Sequence, residues 1–201
     1  MEYYLNIILF AGLSYLIGSI STAIITCKIM GLEDPRKVGS NNPGATNVLR
    51  HGGKKAAIIT LLGDMLKGLI PVLVIVQLQA DALTVALVGL FALLGHVFPV
   101  YYGFKGGKGV ATYYGVILGI SWLVGLIALA IWLIIAKLLK ISSLSALISI
   151  FVTPFMLWLS THSVELTGAV TLMSILVFWR HKKNIASLLQ GTEAKIGKNT
   201  K

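Results

Sequence analysis

The chain has 201 residues, 56% of them hydrophobic and 12% charged, and a formal net charge of +10. A soluble domain carries roughly a quarter charged residues, so this composition excludes one and indicates a polytopic membrane protein with a single domain over residues 1–201. The basic residues fall in short patches between apolar runs, a pattern of membrane topology and not of a nucleic-acid groove.

The first apolar run, Tyr4–Thr26, has only Glu2 as a charge before it and is too long for a signal-peptide core, so it reads as a retained helix. Gly18-Ser19-Ile20-Ser21 in its later half suits close helix packing or the lining of a recess. Cys27, the single cysteine, excludes an intramolecular disulfide and reads as a packing residue. The polar stretch that follows gathers Gly39, Ser40, Asn42, Gly44, Thr46, Asn47 and Arg50. Glycines that turn backbone N–H groups inward, neutral donors and an arginine fork together suit phosphate oxygens. An ordinary polar turn leading into an N-capped amphipathic segment is the alternative.

The second run, Ala56–Leu78, contains Asp64 and Lys67, whose spacing and opposite charge predict a pair that lowers the cost of membrane burial. Such a pair supports a cavity or enters the chemistry directly. The third run, Ala82–Tyr102, ends in Gly95-His96-Val97-Phe98-Pro99 and leads to Lys105-Gly106-Gly107-Lys108-Gly109, just before a predicted helix start near Val110. Glycines and lysines ahead of a helix N-terminus suit a phosphate, although the spacing is not that of a Walker A loop. A flexible surface loop with snorkelling lysines is the alternative, and His96 taken alone reads as a packing residue.

Val110–Ala136 is either one tilted helix or two short helices broken near Gly119-Ile120-Ser121. Leu144–Thr161, with Pro154 expected to kink it, and Val164–Trp179 complete the apolar runs. Beyond them Arg180, His181, Lys182, Lys183 and Asn184 look like a basic anchor for anionic lipid, with His181 and Asn184 on one helical face. The basic residues decide the helix count. Seven short transmembrane helices, N-terminus outside and C-terminus cytoplasmic, put every basic residue except Lys67 on the cytoplasmic side; six crossings split them, against the positive-inside rule. The short fourth helix, about Lys108 to Gly119, is tolerable where it borders a water-filled recess.

In these segments the chain resembles the PlsY family of bacterial acyl-phosphate:glycerol-3-phosphate acyltransferases. The matching pieces are Gly39-Ser40-x-Asn42-x-Gly44-Ala45-Thr46-Asn47, Asp64-x-x-Lys67-Gly68, Gly95-His96-x-Phe98-Pro99 through Gly109, and Arg180-His181-x-x-Asn184-Ile185, in family order over nearly the whole chain. The resemblance implies transfer of a fatty acyl group from acyl phosphate to the sn-1 hydroxyl of glycerol 3-phosphate, giving lysophosphatidic acid and phosphate, the first step of phospholipid synthesis. It implies Ser40, Arg50, His181 and Asn184 as catalytic residues. Gly39, Asn42, Gly44, Thr46, Asn47, His96 and Lys105 through Gly109 (Gly106, Gly107 and Lys108 between them) are then expected at the substrates. Asp64 and Lys67 are expected as a supporting ion pair. Two positions depart from the family pattern: Asn41 where many members carry Gly, and Lys183 where an acid often precedes the Asn.

Acyl phosphate is already activated, so direct attack needs positioning and charge stabilisation and no acyl-enzyme. Either loop can hold either phosphate, and His181, if it is a base, competes with the substrate phosphate for that role. No cofactor is expected, no metal-ligand spacing is present, and no nucleic acid is a partner. The expected partners are the two substrates, membrane lipid and the soluble enzyme that makes acyl phosphate. The expected location is the bacterial inner membrane, multi-pass, with the active site facing the cytoplasm. A transporter of a small organic phosphate is the alternative, and it predicts an internal repeat that is not seen.

Overall fold

The computed structural model describes residues 1–196, and every regular element among them is helical. Lys198 and Lys201 of the basic tail lie outside these residues. The helices are α1 (Glu2–Gly18), α2 (Thr22–Ile29), α3 (Ala45–Gln77), α4 (Ala82–Val97), α5 (Val110–Ile120), α6 (Trp122–Leu139), α7 (Ser142–Thr161), α8 (Val164–Arg180) and α9 (Lys182–Leu189), with a 3₁₀ turn at Val100–Tyr102. Among the described residues five segments are long and apolar enough to cross a membrane: Glu2–Ile29, Ala45–Gln77, Ala82–Tyr102, Trp122–Leu139 and Ser142–Thr161. At 1.5 Å per residue α8 is about 26 Å long and α5 only about 17 Å.

The ambiguous fourth run resolves into two helices. Ser121 adopts an extended backbone (φ −148°, ψ 102°), ends α5 and caps α6 by accepting from the Val124 N–H. The first run is likewise broken within the membrane. α1 stops at Gly18, and Ser21 caps α2 by accepting from the Ile24 N–H. α3 begins at Ala45, directly after Gly44, whose N-cap position carries no side-chain hydrogen bond. It bends at Gly53, whose φ of 81° and ψ of 177° only glycine adopts readily, before its long apolar part begins.

Packing follows membrane rules, with small and hydroxyl residues inside and bulky apolar residues outside. Leu62, Ile70, Trp122, Leu138, Phe151 and Phe155 are exposed, whereas Ser14, Thr60, Ser145, Ser149 and Thr153 are buried. α1 meets α4 and α3 meets α5 where one partner lacks a Cβ: Gly18 lies against the Ala92 backbone, Gly115 against Met65 and Gly68 against Thr112. Cys27 is a packing residue, 3% exposed beside Ala23, Val48 and Ala56. α7 runs on through Pro154 as one element. The proline leaves the Ile150 carbonyl without its N–H partner, and the Ser174 hydroxyl of α8 approaches that oxygen at 3.4 Å.

Candidate active site

Three polar segments meet at one end of the helices. The first, residues 34–47, is folded by Asn47, which is 2% exposed. Its amide nitrogen donates to the carbonyls of Pro35 (2.9 Å) and Val38 (3.0 Å), and its side-chain oxygen accepts the Ser40 N–H (3.1 Å). The Asn41 N–H donates to Val38 O and the Gly44 N–H to Asn42 O. These three amides shape the loop, and Ser40, exposed, offers its hydroxyl. Gly39 has φ 56° and lies against the His51 imidazole, so a Cβ there is excluded twice over. Asn41 has φ 54°, a left-handed conformation that Gly and Asn both tolerate, which accounts for the departure at this position. Asp34 accepts four hydrogen bonds from the Arg36 side chain and backbone, two on each carboxylate oxygen, and these hold its carboxyl below the usual range. The Arg36 guanidinium lies 5.8 Å from the Tyr102 ring centre and so connects this loop to the second.

The second segment is Gly103–Gly109. Gly106 and Gly107 are buried; the Gly107 N–H donates to His96 O (3.2 Å). Arg180, from the end of α8, donates to the carbonyls of Gly106 (2.9 Å) and Gly107 (3.2 Å). Lys105 is exposed, while Lys108 points into a polar chain with the third segment. Lys108 Nζ donates to Asn184 Oδ1 (2.5 Å), Asn184 Nδ2 donates to Glu193 Oε1 (2.6 Å), and the Ser143 hydroxyl donates to the same oxygen (2.5 Å). Burial pushes the Lys108 ammonium below its usual pKa, and the charges of Arg50 and Arg180 push the same way; Glu193 opposes them. Thr46 reaches α7 through Ser142 (3.4 Å).

His181 sits between α8 and α9, 3% exposed, with Nδ1 2.8 Å from Val177 O. A carbonyl partner fixes the proton on Nδ1 and leaves Nε2 as an acceptor. Burial lowers the imidazole pKa to about 4, with the nearby Lys108 adding to the shift, so the ring is neutral at pH 7. Beneath the loops, Asp64 and Lys67 pair at 2.8 Å, and Lys67 Nζ also donates to Ile20 O (2.7 Å), a carbonyl freed by the break between α1 and α2. His96, expected at a substrate, is 7% exposed behind Gly107. Among the described residues no three His, Cys, Asp or Glu side chains converge on a metal-sized site.

Lys108, Asn184, Arg50 and the neighbourhood of His181 are thus brought together, with Ser40 on the Asn47-braced loop that precedes Arg50. Sequence reasoning missed Glu193, Ser143 and the loop-holding role of Arg180. The signal for Glu193 is in the sequence: it is the only acid in the basic C-terminal stretch, and its carboxylate accepts from the Asn184 amide.

A family model described as glycerol-3-phosphate acyltransferase matches residues 8–191. The glycerol-3-phosphate acyltransferase of Thioalkalivibrio sulfidiphilus is 58% identical, over 94% of this chain and 93% of its own. That of Methylococcus capsulatus is 52% identical, over 92% and 93%. Crystal structures of PlsY (YgiH), an integral membrane glycerol 3-phosphate acyltransferase, share the fold: the glycerol 3-phosphate form gives a TM-score of 0.91 at 36% identity over 96% of both chains. The lysophosphatidic acid form gives 0.90 at 35% identity, again over 96% of both. The chain therefore belongs to the PlsY family of integral membrane glycerol-3-phosphate acyltransferases.

Proposed function

We propose that this chain transfers a fatty acyl group from acyl phosphate to the sn-1 hydroxyl of glycerol 3-phosphate at a site facing the cytoplasm. The observation that carries the reading is the cationic group of Lys108, Arg50 and Arg180 around the Lys108–Asn184–Glu193 chain, a setting for phosphate and not for a carbonyl alone. The acceptor hydroxyl oxygen attacks the acyl carbonyl carbon, the bond from that carbon to the phosphate oxygen breaks, and the hydroxyl proton leaves with the departing phosphate. Ser40, Asn42 and Arg50 stabilise the departing phosphate; Lys105 and Lys108 hold the acceptor phosphate. Phosphate serves better as the base than His181, whose depressed pKa makes it a weak one; His181 and Asn184 position their neighbours.

Seven crossings in a bacterial inner membrane, with the N-terminus outside, fit this reading. The break at Ser121 supports the count: α7 then begins, just after Lys140, beside the polar segments, where Ser142 meets Thr46 and Ser143 meets Glu193. A supply enzyme making acyl phosphate is the soluble partner this chemistry requires. The test is purified protein in detergent with radiolabelled glycerol 3-phosphate and palmitoyl phosphate. Lysophosphatidic acid and phosphate are the expected products, undiminished by excess chelator. No product overturns the assignment, and vesicle-dependent uptake without product favours transport in its place.

A further inference from the structure

The two intramembrane charges and His96 form a continuous support under the glycine-rich loop. Asp64 Oδ1 is 2.8 Å from Lys67 Nζ and 3.7 Å from His96 Nδ1, and the two acid–base side chains of α3 are 3% and 7% exposed. At 3.7 Å the contact with His96 orients the ring electrostatically and is not a full hydrogen bond. The Asp64 carbonyl also accepts the Thr112 hydroxyl (2.8 Å), which ties α3 to the first turn of α5 directly after the loop.

The far edge of the imidazole does something different. His96 Nε2 occupies the space that a Cβ on Gly107 needs, and His96 O occupies the space that a Cβ on Gly106 needs. That same carbonyl accepts the Gly107 N–H, while Arg180 holds the two glycine carbonyls from the other side. The loop is thus clamped between His96 below and Arg180 above, one residue before Lys108.

We infer that His96 is a positioning residue for the acceptor phosphate: held by the Asp64–Lys67 pair, its ring seats Gly107 and thereby sets where Lys108 reaches. It is not the base, because Gly107 covers Nε2 and the residue is almost wholly buried. Burying an ion pair in a membrane costs more than apolar packing returns, and the seat gives the pair a use. The inference rests on the proposed acyltransferase reading.

Steady-state kinetics with both substrates varied test it, on wild type, H96A, H96N, G107A and the G107A/H96A double variant. H96A is expected to raise KM for glycerol 3-phosphate about tenfold, equivalent to about 1.4 kcal/mol, with KM for palmitoyl phosphate and kcat within about twofold. H96N, which keeps a polar edge toward Asp64, recovers part of that loss. In G107A the new methyl meets the ring, so removing the ring in the double variant improves acceptor KM over G107A alone. A fall in kcat with unchanged acceptor KM, or a double variant no better than G107A, overturns the inference. Should H96A fail to purify as a monodisperse protein, G107A/H96N against G107A poses the same question. Thermal stabilisation by glycerol 3-phosphate, present in wild type and lost in H96A, is read without turnover. Absence of product in wild type therefore refutes the acyltransferase reading while the seat is still tested.

Discussion

Asn47 gives the sharpest test of how the first loop is held. Its orientation is fixed by backbone partners: two carbonyls can only face the amide nitrogen, and the Ser40 N–H can only face the oxygen. Replacing it by alanine removes three hydrogen bonds, each contributing about 1 kcal/mol net, and leaves polar groups partly buried at about 1–3 kcal/mol each when unsolvated. Since the loop is open enough for water to reach some of them, N47A should cost about 2–4 kcal/mol. Aspartate is nearly isosteric and keeps the acceptor for Ser40, yet it sets a carboxylate against the Pro35 and Val38 carbonyls. N47D should therefore be worse than N47A, by at least about 1–2 kcal/mol at neutral pH. The assays are thermal unfolding in detergent and kcat/KM for acyl transfer, in which both variants should fall by more than about tenfold. If N47D matches or exceeds N47A in stability and activity, the donor–acceptor assignment is wrong and Asn47 does not hold the loop.

Glu193→Gln keeps both hydrogen bonds to Oε1 but removes the one charge that raises the Lys108 pKa. Activity that needs the Lys108 ammonium is lost as pH rises through its pKa, so the alkaline limb of the E193Q pH–rate profile should move to lower pH; an unmoved limb refutes the coupling. Gly18→Ala should destabilise by about 1–3 kcal/mol through overlap with the Ala92 backbone, whereas Gly12→Ala, which meets nothing, should be neutral or slightly stabilising in thermal unfolding. On a Cys27→Ser background, membrane-impermeant maleimide should label Gln77→Cys and Glu165→Cys in intact cells, and Lys54→Cys and Lys183→Cys only after permeabilisation. Labelling of Lys183→Cys from outside removes the seven-crossing topology.

Much of this was legible in the sequence because membrane helices announce themselves through uninterrupted apolarity and polar segments through glycines and cations. The apolar run Val110–Ala136 allows one helix or two, and the sidedness of the basic residues selects the break that Ser121 makes. The pairing of Asp64 with Lys67 followed from helical spacing and the expense of lone charges in lipid. What stayed hidden depends on distance along the chain. The bond from Lys108 to Asn184 spans 76 positions and that from Ser143 to Glu193 spans 50, and no local pattern encodes either. Around Gly39 and Gly44 the limit is related: glycine content reveals that a backbone can turn, but not that the Ser40, Asn41 and Gly44 N–H groups bond within the loop.

The Asp64–Lys67 pair also has an electrical consequence. Asp64 lies 11 residues beyond the bend at Gly53, about 16 Å along the helix, which is near the middle of a hydrocarbon layer of about 30 Å when the bend marks the membrane surface. A lone charge crossing the membrane field gains or loses about 2.3 kcal/mol per 100 mV, and one at half depth feels about half of that. Opposite charges one helical turn apart nearly cancel it. In the proposed reading, where both substrates enter and leave on one face, acyl transfer should be indifferent to membrane potential.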